Sequence, residues 1–207
     1  MKQKRKLKKK VVILLILVLV LIFLSVGLFL FMGGKNDTTK TKVVDEIKEY
    51  GYVLESNKPK RYKELFKELV KVLKNDNVNE EEYAKIISQM FVVDFYDLDS
   101  KRSKNDVGGY DLVYEKSRDN FVLKASDTVY KYIEINTASD RSQELPSVTN
   151  SSVKDIKNEK YEKNKIKDDN TYVVTVNLEY KKDLGYPKEV VVKLLHNDKK
   201  LEVYEME

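Results

Sequence analysis

The sequence contains no cysteine and no tryptophan, and it contains a single histidine among its 207 residues. Without cysteine, the chain can form no disulfide bond and has neither a thiol nucleophile nor a thiolate metal ligand. A lipoprotein is excluded as well, because the lipid of such proteins is attached to a cysteine. A domain of this chain outside the cytoplasm must therefore be stabilised by its own hydrophobic core.

The single histidine, His196, lies in a predicted turn, where we expect a solvated surface residue. A zinc site, a serine–histidine pair or a histidine acid/base would each need partner residues in defined positions. The sequence indicates no such set, so we assign no catalytic residue, no cofactor-binding residue and no metal ligand. We therefore predict a protein that is not an enzyme and needs no cofactor, with a site of surface carboxylates or of tyrosine and lysine as the alternative.

Positive charge is concentrated at one end of the chain. Seven of the first ten residues are lysine or arginine and none is acidic. Residues 11–207 contain the other 32 basic residues and all 34 acidic ones. The net charge is therefore −2 after residue 10, although it is +5 for the whole chain. Because this remainder offers no overall positive surface to a phosphate backbone, we expect no nucleic-acid partner.

One long hydrophobic run follows the basic tail. Residues 11–32 include no charged side chain, and Ser25 is the one polar residue among them. A helix of this length spans roughly 33 Å, enough to cross a hydrocarbon core of about 30 Å. Signal peptides usually have a shorter apolar region and small residues at the cleavage site, whereas bulky residues precede Gly33 here. We therefore predict an uncleaved transmembrane helix.

The distribution of charge around this run predicts its orientation. Residues 1–10 carry seven cations and residues 33–42 carry three, so we expect the N-terminus to stay in the cytoplasm, next to anionic lipid headgroups. Residues 33–42 contain no apolar side chain and are typical of a flexible tether. The predicted division is a basic cytoplasmic tail (1–10), a transmembrane helix (11–32), a tether (33–42) and an extracytoplasmic domain (43–207), in a single-pass protein of the cell membrane.

Helical periodicity dominates the middle of the chain. Apolar residues recur at spacings of three and four over residues 61–74, and again after Asn79 and Glu82, which are typical of a capped helix start. A third helix is predicted from Phe121, with an apolar stripe on the core face that includes Tyr132 and continues to Ile133. Residues 43–55 fit either a helical face or, in their second half, a short strand.

Alternating patterns take over near the C-terminus. Strands are predicted at residues 172–180, 190–195 and from 201, with a more charged strand around 156–166 that suits an exposed sheet edge. The predicted fold is one α+β domain behind an N-terminal transmembrane helix. Its core is about three helices packed on a three- to four-stranded antiparallel sheet, because a sheet of this size needs helices to cover one face.

An acidic cluster surrounds a charged loop at residues 99–106. Its aspartates are Asp94, Asp97, Asp99, Asp106 and Asp111. Three basic residues, Lys101, Arg102 and Lys104, are interleaved with them and are expected to pair with them. Carboxylates like these could bind Ca²⁺ outside the cell, but the spacing does not fit an EF-hand. We predict a solvated loop and leave a metal site as the alternative.

The string KNDVGG at residues 104–109 is the most unusual local feature. A phosphate-binding loop would need a preceding buried strand and further glycines. We instead expect Asn105 or Asp106 to start a turn or cap a helix, and Gly108 and Gly109 to permit a sharp reversal or close packing.

The order of basic tail, membrane helix, helices and antiparallel sheet resembles the bitopic scaffold proteins of conjugative type IV secretion machines. Their extracytoplasmic domain has the nuclear-transport-factor-like fold, so the resemblance implies a cone of helices on a curved sheet. Residues 91–99 and 104–109 are also similar to a recurring string in uncharacterised single-pass membrane-anchored proteins of low-GC Gram-positive bacteria. Neither resemblance implies particular site residues.

These observations predict a membrane-anchored extracytoplasmic domain for protein–protein interaction, within an envelope or secretion complex. Its expected partners are membrane lipid and other envelope proteins, and the layout is compatible with a homo-oligomer. The alternative is a sensor or binding domain for a small ligand, with a pocket between the helices and the sheet.

Overall fold

A computed structural model describes residues 42–163 and 166–207. The predicted tail at 1–10, the predicted transmembrane helix at 11–32 and almost all of the predicted tether at 33–42 lie outside these residues. Within the described ranges, no helix is both long enough and apolar enough to cross a membrane.

The domain begins with a small hairpin. Strand β1 (Val43–Ile47) pairs antiparallel with β2 (Tyr52–Glu55), so this ambiguous segment contains two strands joined by a turn and no helix. Gly51 has a φ angle of +63°, a left-handed conformation that glycine adopts without strain, and it completes the turn. Tyr52 and Leu54 point into the core.

Two helices follow the hairpin: α1 (Lys60–Leu73) and α2 (Glu80–Tyr96). The backbone N–H of Glu82 donates to Oδ1 of Asn79 at 3.1 Å, so the predicted cap is confirmed. Helix α1 buries one face, whereas α2 is buried on almost all sides from Tyr83 to its end. Helix α2 is therefore the central element of the domain.

The third helix, α3 (Arg118–Asp127), is shorter than predicted. Its helical geometry ends at Thr128, where φ is −123° and ψ is −98°. The chain therefore turns before the next tyrosines, and Tyr130 becomes fully buried while Tyr132 is 76 % exposed. The prediction that Tyr132 lies on the core face was wrong.

The C-terminal half forms a four-stranded antiparallel sheet in the order β3-β4-β5-β6. Its strands are β3 (Val148–Lys163), β4 (Ile166–Tyr180), β5 (Glu189–Asn197) and β6 (Lys200–Met206). The α+β class, with three helices and a four-stranded antiparallel sheet, is confirmed. Strand β3 lies at the sheet edge, as predicted, but begins earlier in the chain than its charged part suggested.

The hairpin of β3 and β4 curls the four-stranded sheet. Irregularities in the β3–β4 pairing occur between Val153 and Asp155 and between Glu159 and Tyr161. Beyond them the hairpin bends toward β6, where the Tyr161 hydroxyl donates to Oε1 of Glu205 at 3.1 Å. One face of the sheet packs on α2, while part of the other is covered by its own hairpin.

Candidate functional site

The predicted acidic cluster is divided between the interior and the surface. Asp94 lies in the last turn of α2 and Asp97 directly follows this helix. Both are buried, and so is Lys101. Asp99 and Asp111 are exposed, as a solvated loop requires. The solvated-loop prediction was therefore wrong for the three buried residues, because a sequence pattern of charges does not show which of them face each other inside the fold.

Asp94 is the centre of a buried ionic group. Its Oδ1 accepts a hydrogen bond from Nζ of Lys101 at 2.6 Å, and its Oδ2 accepts one from Nζ of Lys58 at 2.8 Å and one from the N–H of Gly109 at 2.7 Å. Burial alone would raise the pKa of Asp94, but the two ammonium groups outweigh it and hold this pKa far below its usual value. The carboxylate thereby connects the start of α1, the end of α2 and the loop that contains Gly108 and Gly109, called the glycine loop below.

Gly108 and Gly109 fit against α2 because they have no side chains. A Cβ at Gly108 would overlap the carbonyl oxygen of Asp94. Gly109 has a φ angle of +76°, and a Cβ there would come within 2.6 Å of the Phe91 ring. The Tyr130 hydroxyl accepts a hydrogen bond from the N–H of Gly108 at 3.1 Å. Of the two roles predicted for these glycines, close packing is confirmed.

The connection before the sheet is fixed to the same loop. Oδ1 of Asp97 accepts a hydrogen bond from the N–H of Val148 at 2.7 Å, and burial raises the pKa of Asp97. The Arg141 guanidinium donates to the carbonyl oxygens of Lys101 at 2.8 Å and Asp99 at 2.7 Å. These polar groups stabilise the loop rather than leave it solvated.

No three acidic or histidine side chains between residues 42 and 163 or between 166 and 207 form a group able to bind a metal ion. Around Asp94, two ammonium groups occupy the positions that a cation would take. Arg102 and Lys104 are exposed, and Arg102 lies 3.8 Å from Asp106.

His196 is the second-last residue of β5 and does not belong to the turn that follows, and its side chain is solvent-accessible, as predicted. Its Nδ1 is 2.9 Å from Oδ2 of Asp168, and its Nε2 is 3.7 Å from Oε2 of Glu80. No serine or threonine hydroxyl in the described part of the chain is bonded to the imidazole. His196 thus links β4, β5 and the start of α2. Sequence reasoning missed both partners because each is distant along the chain.

A groove between α3 and β6 is the candidate functional site. It has a volume of about 390 Å³ and opens to solvent. Phe95 of α2, Phe121 of α3 and Val203 of β6 contribute apolar surface to it. Polar and charged residues line it as well, among them Ser117, Lys124 and Glu205.

The segment before α3 holds this groove in place. The N–H of Tyr114 donates to the carbonyl oxygen of Val203 at 2.9 Å, so residues next to it extend the edge of the sheet at β6. Nε of Arg118 donates to the carbonyl oxygen of Val113 at 2.9 Å and fixes the first turn of α3. The helix is therefore attached at its start.

The sequence predicted part of this groove. The apolar stripe beginning at Phe121 indicated which face of α3 lies inward. No sequence signal placed Phe95 or Val203 opposite that stripe, because these residues come from a different helix and from the last strand.

Comparison with known proteins gives no match: no family model fits the chain, and no curated protein or solved structure is significantly similar to it.

Proposed function

We propose that this chain is a non-enzymatic, single-pass membrane protein whose extracytoplasmic domain binds a small amphiphilic ligand in the groove between α3 and β6. The groove itself carries the proposal. Ligand sites are usually clefts of about 300–1,000 Å³ that combine apolar walls with a few polar groups. The groove, with a volume of about 390 Å³, lies in this range, and its walls combine aromatic and aliphatic residues with polar ones.

The charges around the groove favour an anionic head group on the ligand. Lys124 is exposed, and no acidic partner of its ammonium is present in the described residues. Glu205 also lines the groove, but it already pairs with Lys163 at 2.9 Å and accepts a hydrogen bond from Tyr161. The hydrogen bond from Lys163 contributes most to lowering the pKa of Glu205, and it offsets the negative charge.

The finer fold assignment is part of the same proposal. We assign the domain to the nuclear-transport-factor-like type of cone. The supporting observations are the long β3–β4 hairpin with irregular pairing, a curled four-stranded sheet and helices that cover one of its faces. In such a cone, the opening between a helix and the sheet is a natural place for a ligand.

The membrane location rests on the hydrophobic run at residues 11–32 and the basic residues that precede it. An anchor of this kind would hold residues 43–207 outside the cytoplasm, close to the bilayer surface. Amphiphiles are concentrated at such a surface, so a groove lined by apolar residues and an exposed lysine would meet its ligand there.

Binding can be tested with the full chain in lipid nanodiscs and dansyl-labelled undecanoate as the probe. We expect a saturable rise in dansyl fluorescence above that of empty nanodiscs. Lys124→Glu should weaken binding about tenfold by removing the cation, whereas Lys116→Glu, an equal charge change at an exposed position outside the groove, should not. Fluorescence equal to that of empty nanodiscs would contradict the proposal.

A second function, assembly with other envelope proteins, is favoured by exposed apolar side chains at Leu123, Tyr132 and Ile135. Crosslinking in the native membrane followed by identification of the attached proteins tests it. Repeated recovery of the same envelope or secretion proteins, lost in Tyr132→Ser, is the expected result, and crosslinked copies of this chain alone would indicate a homo-oligomer. Recovery of no defined partner would contradict assembly.

A further inference from the structure

A second, polar pocket of about 380 Å³ opens beside Asp94. Lys58, Lys101 and Asp94 form its buried part: the side chains of Lys58 and Lys101 are 13 % and 6 % exposed, and that of Asp94 is 1 % exposed. Glu55 and Asp111 line its more exposed part. The glycine loop forms another wall, so this pocket differs from the groove between α3 and β6 in its position, lining and polarity.

The two lysines have hydrogen-bond donors to spare. An ammonium group has three N–H bonds, and in the described residues Lys58 and Lys101 each donate one of them, in both cases to Asp94. Asp94 accepts a third hydrogen bond, from Gly109, and so offers little further capacity. Buried donors normally have acceptors, so this part of the pocket is suited to an acceptor from outside the chain.

Charge is divided across the pocket. Two ammonium groups face one carboxylate in the buried part, which leaves a local charge of +1. The outer part carries the negative charges of Glu55 and Asp111, and also that of Asp106, which lies 3.8 Å from the Arg102 guanidinium. Burial opposes the charged form of Lys58, but Asp94, with smaller contributions from Asp111 and Glu55, outweighs burial and raises the pKa of Lys58. Both acids are therefore near enough to act on a charge in the pocket.

We infer that this pocket binds a small zwitterion of the α-amino-acid class. The carboxylate of the ligand accepts hydrogen bonds from Lys58 and Lys101, and its ammonium group lies against Glu55 and Asp111. A simple anion would meet the acids, and a simple or metal cation would meet the lysines, so neither matches both parts. A ligand with both charges satisfies the spare donors and the outer carboxylates together.

Thermal unfolding of the full chain in nanodiscs tests this inference. The probes are the standard L-α-amino acids, one at a time, with acetate and methylamine at the same millimolar concentration. We expect one or more amino acids to raise the unfolding midpoint, because a ligand that binds the folded state stabilises it, and we expect neither control to do so. If no amino acid shifts the midpoint, or if acetate shifts it equally, the zwitterion assignment is wrong.

A pair of variants locates the binding. Asp111→Asn removes an exposed outer charge, whereas Asp119→Asn makes the same change at an exposed position outside the pocket. In titration calorimetry with the amino acid of largest effect, Asp111→Asn should weaken binding about tenfold and Asp119→Asn should not. Equal affinity in the two variants would contradict the role of Asp111. Dansyl-undecanoate binding should be unchanged in both variants, which separates this inference from the proposed function of the groove.

Discussion

At the scale of single residues, Asp94 shows how hydrogen-bond donors and opposite charges compensate the desolvation free energy of a buried carboxylate. Three donors surround its carboxylate, and the two that are charged come from lysines that are themselves largely buried. Removing one member of such a group leaves the others desolvated without a counter-charge, which typically costs about 3–5 kcal/mol. The group thus makes the position of the glycine loop depend on one side chain.

Asp94→Asn should lower the free energy of unfolding by about 3–5 kcal/mol at pH 7, measured by urea denaturation of the full chain. The pKa of Asp94 is lowered in the folded chain, so its ionised form contributes stability that is present above the ordinary carboxyl pKa of about 4 and is lost at lower pH. The difference between wild type and variant should therefore shrink as the pH falls below about 4. A difference that is constant from pH 7 to pH 3 would contradict this account.

Gly108→Ala should destabilise the protein by about 1–3 kcal/mol, since a Cβ there overlaps the Asp94 carbonyl in a closely packed region. Gly185→Ala is a matched control with nothing within 4 Å of its Cβ, although its φ angle of +80° adds strain of about 1 kcal/mol. Denaturant midpoints should therefore rank Gly108→Ala below Gly185→Ala. The reverse order would show that the glycine loop moves away from α2 without cost.

At the scale of elements, the end of α3 decides which tyrosine enters the core. The hydroxyl of Tyr130 donates to the carbonyl oxygen of Phe95 at 2.5 Å and accepts from the N–H of Gly108 at 3.1 Å. It therefore joins the segment after α3 to the end of α2 and to the glycine loop. A helix continued past Thr128 would have turned this residue away from both.

Tyr130→Phe should lower the free energy of unfolding by about 1–3 kcal/mol, because it leaves a buried N–H and a buried carbonyl without their partner. Tyr132→Phe removes the same hydroxyl from a side chain that is 76 % exposed and should change stability by less than about 0.5 kcal/mol. Urea denaturation of the two variants measures the contrast. Equal effects would mean that the α3 segment is not held by Tyr130.

At the scale of the whole molecule, local patterns predicted the elements, and contacts distant in sequence determined the sites. The cap at Asn79 depends on neighbouring residues and is present as predicted. The alternation in β4 is present from Val174 to Glu179, whereas Val173, predicted on the opposite face, is buried as well. The contact of Lys58 with Asp94 and that of Phe95 with α3 depend on how the helices pack, for which periodicity gives no signal. The loop charges were for this reason predicted as solvated, although some of them form a buried ionic group.

The topology of the whole chain can be tested independently of either pocket. Seven cations precede the hydrophobic run and three follow it closely, so the N-terminus should stay inside. Protease added to intact spheroplasts should therefore digest residues 43–207 and spare an epitope tag on the N-terminus. Replacing the seven N-terminal cations by serine should reduce this bias and protect part of the domain, while replacing Lys35, Lys40 and Lys42 should leave digestion complete. Protection of the domain in the unaltered protein would reverse the orientation, and neither an extracytoplasmic ligand nor an envelope partner could then reach it.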